Sequence, residues 1–318
     1  VPDYNFRGNQ YFFVDKTFRN GGLLLNENGD ILTGSSGVLS LPGFYPLKDG
    51  KHIIGNVVID DIEIYKSVGA AAGSGTIYGL AYVEPNFSSQ TNKWSELDEE
   101  FSKDTEGSFF TRLIRNQDYI VSEDLGYIRM TTPVQNEILA ISYSLKERGQ
   151  EEPFKVIGEL SSTVTEGDTI NLKLIKPLTP NPGHPTWPLE FKNVYYLGAR
   201  NINPDGLNLE ITYKNGSLGD NVRDEKSGKT FLNLFGLDSL DANGNLSPDD
   251  LIDRMNPNII NLVTGELFFP MLHPFEYLDK NLSSTFNEGN GSGELSEILP
   301  DSASLYRLSL IHIRRCRR

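Results

Sequence analysis

Short runs of alternating apolar and polar residues, each stopped by an Asn- or Gly-bearing turn, constrain this chain more than any other feature. Leu207, Leu209, Ile211 and Tyr213 alternate with Asn208, Glu210, Thr212 and Lys214, then meet Asn215-Gly216. Leu139, Ile141, Tyr143 and Leu145 alternate with Ala140, Ser142 and Ser144 in the same way. A period of two is the signature of a strand with one buried face. Three further segments read as hairpins: Leu23 to Thr33 around Glu27-Asn28-Gly29, Tyr119 to Thr131 around Glu123-Asp124-Leu125-Gly126, and Ile259 to Phe269 around Thr264-Gly265. Asn and Gly supply the positive φ that such turns require. The expected fold class is mainly β, with antiparallel strands, hairpins and a few short helices.

Helical signals are short. Asn92 to Lys103 places Trp94, Leu97 and Phe101 at helical spacing. Ser247-Pro248-Asp249-Asp250 has the form of an N-cap, a Pro at the first helical position and acids in the first turn, with Leu251 and Ile252 facing inward. Composition divides the chain into a β-rich region 1–145, a charged linker 146–153 and a second β-rich region 154–286. A flexible acidic segment 287–307 containing NEGNGSGE and a basic tail 308–318 follow.

The chain has 318 residues, a prior for about two domains. Its 43 acidic residues outnumber 29 basic ones, for a formal net charge of −14. Four of those basic residues, Arg314, Arg315, Arg317 and Arg318, crowd the tail, so the body is more acidic still. An acidic surface repels phosphate backbones, which argues against nucleic acid as a partner and for cations or neutral sugars. The one cysteine, Cys316, rules out a disulfide framework and a Cys-type zinc site within the chain. No run reaches the about 18 apolar residues of a membrane-spanning helix. Val1-Pro2-Asp3 gives no secretory signal, and the chain is expected to be an internal piece of something longer.

The segment Phe231 to Phe275 joins an acidic Asn/Gly turn, a helix signal and a hairpin ending in Phe268-Phe269-Pro270. Asp238, Asp241, Asn243, Asn245, Ser247, Asp249 and Asp250 fall in one loop. Calcium takes six to eight oxygen ligands around a Gly turn. With Gly244 at the sharp turn, Asp241 and Asn243 stand at ligand spacing and Leu246 at the apolar anchor position. Ser239 then takes the first ligand place and Asp250 the last, where an EF-hand-type loop has a bidentate Glu. Asp241, Asn243, Asn245 and Asp250 are therefore the candidate calcium ligands, with no other cofactor expected. The same residues equally form a solvated Asx turn capping a helix at Ser247.

Other constellations carry less chemistry. His52, His184 and His273 are far apart, with no H-x-x-x-H spacing and no accompanying nucleophile, so no catalytic residues are assigned. The acid pairs Asp60-Asp61 and Glu99-Glu100 have the composition of a glycosidase site, but pairs of this kind arise by chance among 43 acids. Gly69 to Gly75, GAAAGSG, lacks the Lys-Ser/Thr of a phosphate loop and the G-x-G-x-x-G of a dinucleotide site. Of Trp94, Trp187, Phe191, Tyr195 and Tyr196, Trp187 in the Pro-rich loop 177–188 is the one expected at the surface, where it is placed to stack a sugar.

Several segments in fixed order carry a family resemblance: IRNQDYIVSEDLGYIRMTTPVQNEILAISYSL, FKVIGEL, LKLIKP, PTWPLEFKNVYYLGARNINPDGLNLEITYKNG and FLNLFGLDSLDANGN…NLVTGELFFPMLHPF. Together, over Ile114 to Leu278, they resemble the SprA/Sov family, very large outer-membrane proteins of Bacteroidetes tied to gliding motility and type IX secretion. The resemblance implies a portion of a protein-conducting outer-membrane β-barrel with soluble insertions. It implies a non-catalytic role, localisation at the outer membrane and cell surface, and partners among other type IX secretion components and secreted cargo proteins. The family's acidic loop is usually richer in Asp and Gly than DANGNLSPDD, and the chain is too short to close such a barrel alone. A surface adhesin or carbohydrate-binding β-sandwich module is the alternative that the residues leave open. LSLIHIRRCRR, Leu308 to Arg318, resembles translated sequencing-adaptor read-through; a basic membrane-surface tail is its alternative reading.

Overall fold

The computed structural model describes residues 8–15, 18, 37–39, 52–54, 57–69, 75–83, 105–165, 167–181, 183–215, 219–224, 227–256, 259–270 and 311–316. The expected Leu23–Thr33 hairpin, the Asn92–Lys103 helix, Trp94, Glu99-Glu100, His273 and the segment 287–307 lie outside them. The fold is mainly β and mostly antiparallel, with a few short helical turns. Strands β2 (Gly37–Leu39) and β3 (His52–Ile54) are described by backbone alone. Contacts divide the chain into two compact units: among the described residues, those of 8–39 and 53–191 form one, and His52 with those from Lys192 onward the other. The charged stretch 146–153 is therefore not a boundary. It is the turn that returns β9 (Leu139–Glu147) antiparallel onto β10 (Lys155–Ile157).

The first unit is built on a closed ring of five strands. β4 (Val57–Val68) pairs with β6 (Glu106–Arg112), β6 with β5 (Thr76–Tyr82), β5 with β11 (Ile170–Lys176), β11 with β9, and β9 again with β4. Every contact is antiparallel except β11 with β5. Closure leaves a ring strand no free edge. Eight strands already give a barrel just wide enough for side chains to fill, so five leave a narrower space. Tyr65, Ala81, Phe110, Ala140, Ile170, Leu172 and Leu174 fill it from all five strands. At Gly79 an added Cβ would come within 2.9 Å of Ile170, so the interior has no room even for a methyl group there.

β9 departs from the half-buried strand that its pattern predicts. All residues from Leu139 to Leu145 are buried, the alternating Ala140, Ser142 and Ser144 included. Ala140 points into the barrel with its partner Tyr65. Leu139, Ile141 and Tyr143 take the other face, which is buried as well. A second sheet belongs to the same unit: β8 (Tyr127–Met130) lies between β1 (Tyr11–Phe13) and β7 (Tyr119–Ser122). It is joined to β4 by the Ile59 amide, which donates to the Glu123 carbonyl. Tyr143 and Lys173 both hydrogen-bond Asp15, just beyond β1, which gives the buried lysine a charge partner. The β7–β8 hairpin is the expected one, and Gly126 (φ +63°) is its necessary glycine, because a Cβ there would lie 1.9 Å from the Phe18 ring.

The second unit carries β12 (Val194–Tyr196), β13 (Asn208–Asn215), β14 (Gly219–Asn221), β15 (Ile260–Asn261) and β16 (Glu266–Phe268). β13 follows the expected alternation as far as Ile211, with Leu207, Leu209 and Ile211 buried and Asn208 and Glu210 less so, but Thr212 is buried as well; β14 pairs antiparallel with it. β16 lies between β12 and β15. The β15–β16 turn spans Leu262–Gly265, longer than the two-residue Thr264-Gly265 turn read from the pattern. Asn261 takes over part of the turning: its side-chain oxygen accepts from the Val263 and Thr264 amides. Phe269 finds its apolar partners in Tyr195 and Phe235, with ring centroids 5.3 and 5.4 Å away. The backbone of β17 (Ile311–Cys316), within the tail, pairs antiparallel along β13. An otherwise open strand edge is a template for any extended partner.

Candidate functional site

The acidic loop of the second unit is a chain of side-chain-to-backbone caps. Asp238 is fully buried, and its two carboxylate oxygens accept from the Asp249 and Asp250 amides, each at 3.0 Å. Asp253, also buried, accepts from the Ser239 and Leu240 amides at 3.1 Å. Asp241 accepts from the Asn243 and Asn245 amides at 2.8 and 2.9 Å and from the Asn245 side chain. Asp249 accepts from the Leu251 amide. Burial pushes the Asp238 and Asp253 carboxyls above the usual aspartate range, against the pull of their N–H donors. Asp241, held by Asn245 and Asn243, lies below it.

These bonds dispose of the helix expected at Ser247. The Asp249 and Asp250 amides already donate to Asp238, and Asp250 takes a positive φ of 65°. A right-handed helix cannot pass through that position. Residues 247–253 are irregular, Ile252 is buried and Leu251, expected inward, is about half exposed. The helical turn of this segment is instead Phe231–Leu234, capped by Thr230, whose hydroxyl accepts from the Asn233 amide.

The candidate calcium ligands are only partly brought together. Asp241, Asn243 and Asn245 share one turn, but the Asp241 carboxylate is taken up by N–H donors from Asn243 and Asn245. Asp250 turns away to pair with Arg223. No three His, Cys, Asp or Glu side chains converge as a metal cage among the described residues. The arrangement of Asp241, Asn243 and Asn245 is that of an Asx turn, and Asp250 stands apart from it on Arg223.

What the loop does form is a cleft of about 770 Å³, lined by Leu207, Leu240, Ile252 and the buried Asp253 and rimmed by Asp205, Asp241 and Asp249. Clefts that hold small ligands or peptide side chains fall in this size range. Two large apolar side chains of its lining stand open: Leu251 at 52% exposure and Met255 at 74%. Asp253 and the buried Asp238 are the residues that sequence reading undervalued. Their signal was an Asp spaced about a dozen residues from the amides it caps, which no local motif records.

A second polar cluster, in the barrel unit, sits at one end of the ring. Glu63 on β4 accepts from the Tyr65 hydroxyl, the Ser161 amide and hydroxyl, and Arg112, all between 2.6 and 2.7 Å. Burial raises the Glu63 pKa, but these donors outweigh it and leave the carboxyl below the usual glutamate range. The Tyr65 hydroxyl is pushed up by burial and by its bond to Glu63. Ser161 belongs to a 3-10 turn, Ser161–Thr163, after which Val164 packs on the barrel core. The cluster fastens this turn over the barrel end, and its hydrogen bonds are made within the cluster.

Of the remaining sequence candidates, Asp60-Asp61 is a β-bulge: two residues stand opposite Ser144, whose hydroxyl accepts from the Asp61 amide, and Asp60 pairs with Lys146. His184 bonds the Thr186 hydroxyl within the Pro-rich loop. Trp187 is half-buried in the turn Trp187–Leu189 rather than open, while Phe191 and Tyr195 are buried. Comparison of the chain with models of known protein families gives no match, and comparison with curated proteins likewise gives none.

Proposed function

We propose that this chain is a non-catalytic portion of an outer-membrane protein-conducting translocon that serves type IX secretion and gliding motility. Its work is structural, in the service of transport: it holds a rigid β scaffold and offers surfaces to secretion components or cargo. Support for identity is the ordered set of segments between Ile114 and Leu278 that resembles the SprA/Sov family. Support for the scaffold role is one observation, the barrel filled to its axis by Tyr65, Phe110, Leu172 and Leu174. A ring of five strands packed in this way passes no polypeptide, so on this reading the conducting wall belongs to other parts of the full-length protein.

The polar clusters agree with that role. Glu63 and Ser161 saturate one another, and the loop aspartates cap backbone amides. Neither arrangement leaves a nucleophile and base facing an open reaction space. The test is genetic. Deleting the full-length gene should abolish release of cargo proteins while general outer-membrane assembly persists. Intact secretion would remove the reading. A surface adhesin module is the second reading, favoured by the self-contained closure of the barrel, which needs no membrane. Saturable binding of a glycan by the isolated chain, in a cell whose secretion is unaffected by the deletion, would select it.

A further inference from the structure

We infer that the cleft between the Asp205–Asn208 segment and the Leu240–Asn256 loop docks a basic, amphipathic segment of a partner protein. The inference rests on the reading of this chain as a partner-binding scaffold and names the chemistry of the partner. Two independent properties of the cleft lead to it. The first is apolar surface. Leu207, Leu240 and Ile252 line the floor, and Leu251 and Met255 stand exposed on the wall. Large exposed aliphatic side chains gathered at a concavity mark a contact surface, whereas single ones are ordinary.

Charge is the second property. Among the described residues, Asp205, Asp241, Asp249 and Asp253 line the cleft against a single cation, Arg254. Among the described residues, Asp241, Asp249 and Asp253 take hydrogen bonds from neutral backbone and amide N–H groups, not from Lys or Arg. Their charge is thus positioned but not cancelled. A ligand gains from such carboxylates without the cost of ordering them. Among the described residues the lining contains no aromatic side chain, which disfavours a sugar, because sugars stack on aromatic faces. Cationic groups set beside aliphatic ones satisfy both properties at once. An acidic wall also favours the encounter kinetically, through steering.

The test uses the whole chain and a fluorescein-labelled synthetic peptide alternating Lys and Leu, followed by fluorescence anisotropy. Two comparison peptides replace every Lys by Glu or every Leu by Ser. Saturable binding of the Lys/Leu peptide alone is expected, weakening as salt is added. Leu251→Ser with Met255→Ser should weaken it about tenfold or more, since each contact removes buried apolar area. Asp241→Asn with Asp249→Asn keeps an acceptor oxygen for each turn, and should weaken binding and flatten its salt dependence. Glu151→Gln with Glu152→Gln removes the same charge from the β9–β10 turn and should change nothing. Thermal melts confirm that each variant is folded.

Three results would overturn the inference: equal binding of the Glu/Leu peptide, unchanged affinity in both folded cleft variants, or no binding by the unaltered chain. Calcium chloride raising the melting temperature of a chain that ignores the peptide would assign the loop to a cation instead. None of these outcomes touches the secretion phenotype, so failure here leaves the translocon reading to be judged by its own experiment.

Discussion

The width of the five-stranded barrel can be tested by exchanging volume across its axis. Ala140 on β9 and Phe110 on β6 are both 0% exposed and belong to the same interior cluster. Ala140→Leu inserts three carbons into a space already filled. Overpacking of this kind costs about 1–3 kcal/mol. Phe110→Ala empties most of a ring's volume and should cost about 3–5 kcal/mol. Against a total stability of about 5–15 kcal/mol, each single change is large but leaves a folded population. The double variant is the informative one. If both side chains face one closed interior, the added leucine occupies part of the space the ring vacated. The combined loss should then fall short of the sum by about 0.5–3 kcal/mol. Urea unfolding followed by tryptophan fluorescence reads this unit, because Trp187 lies within it. Additivity within about 0.3–0.5 kcal/mol would mean that the two positions do not share a core. A neutral Ala140→Leu would go further, since a side chain lining a wide aqueous lumen has room to grow. That result would refute the closed barrel itself.

Further outcomes follow from single positions. Gly265→Ala should unfold the β15–β16 turn at a cost above about 2 kcal/mol, visible as a lowered melting temperature, because φ is +70° and a Cβ would lie 1.6 Å from the Ala199 carbonyl oxygen. The raised pKa of Asp238 means that the folded second unit binds this proton more tightly than the unfolded chain, so its contribution to stability rises as pH falls through the folded value and levels off below the unfolded 3.8. Asp238→Asn should flatten that part of the profile of urea midpoint against pH. Glu63 has the opposite sign: its lowered pKa contributes stability present above 4.5 and lost as pH falls through the folded value, and Glu63→Gln should remove that acid sensitivity from the barrel unit. Calcium titrated to millimolar concentration should give no heat and no thermal shift, as the Asx-turn geometry of Asp241 requires; a saturable shift lost in Asp241→Ala would reinstate the ion.

The alternating pattern by itself determined that this chain makes strands and where several of them turn. The Tyr119 to Thr131 hairpin folds as its period and turn residues dictate, and Leu207 to Ile211 keeps one buried face, because backbone sterics and one-sided burial act over a few residues. The same pattern misread β9. Alternation distinguishes two faces but not what lies against each, and the small residues Ala140, Ser142 and Ser144 that resemble a solvent face are buried too. Ala140 is small because the barrel behind it is narrow, a fact set by ring closure between strands as distant as β5 and β11. The acidic loop fails for a related reason. Ser247-Pro248-Asp249-Asp250 has every local mark of a helix start, yet the buried Asp238 claims the amides that the helix would need. Local sequence sets the preferences of a segment. Which hydrogen-bond partners and which volumes remain to satisfy them is decided only when distant segments meet.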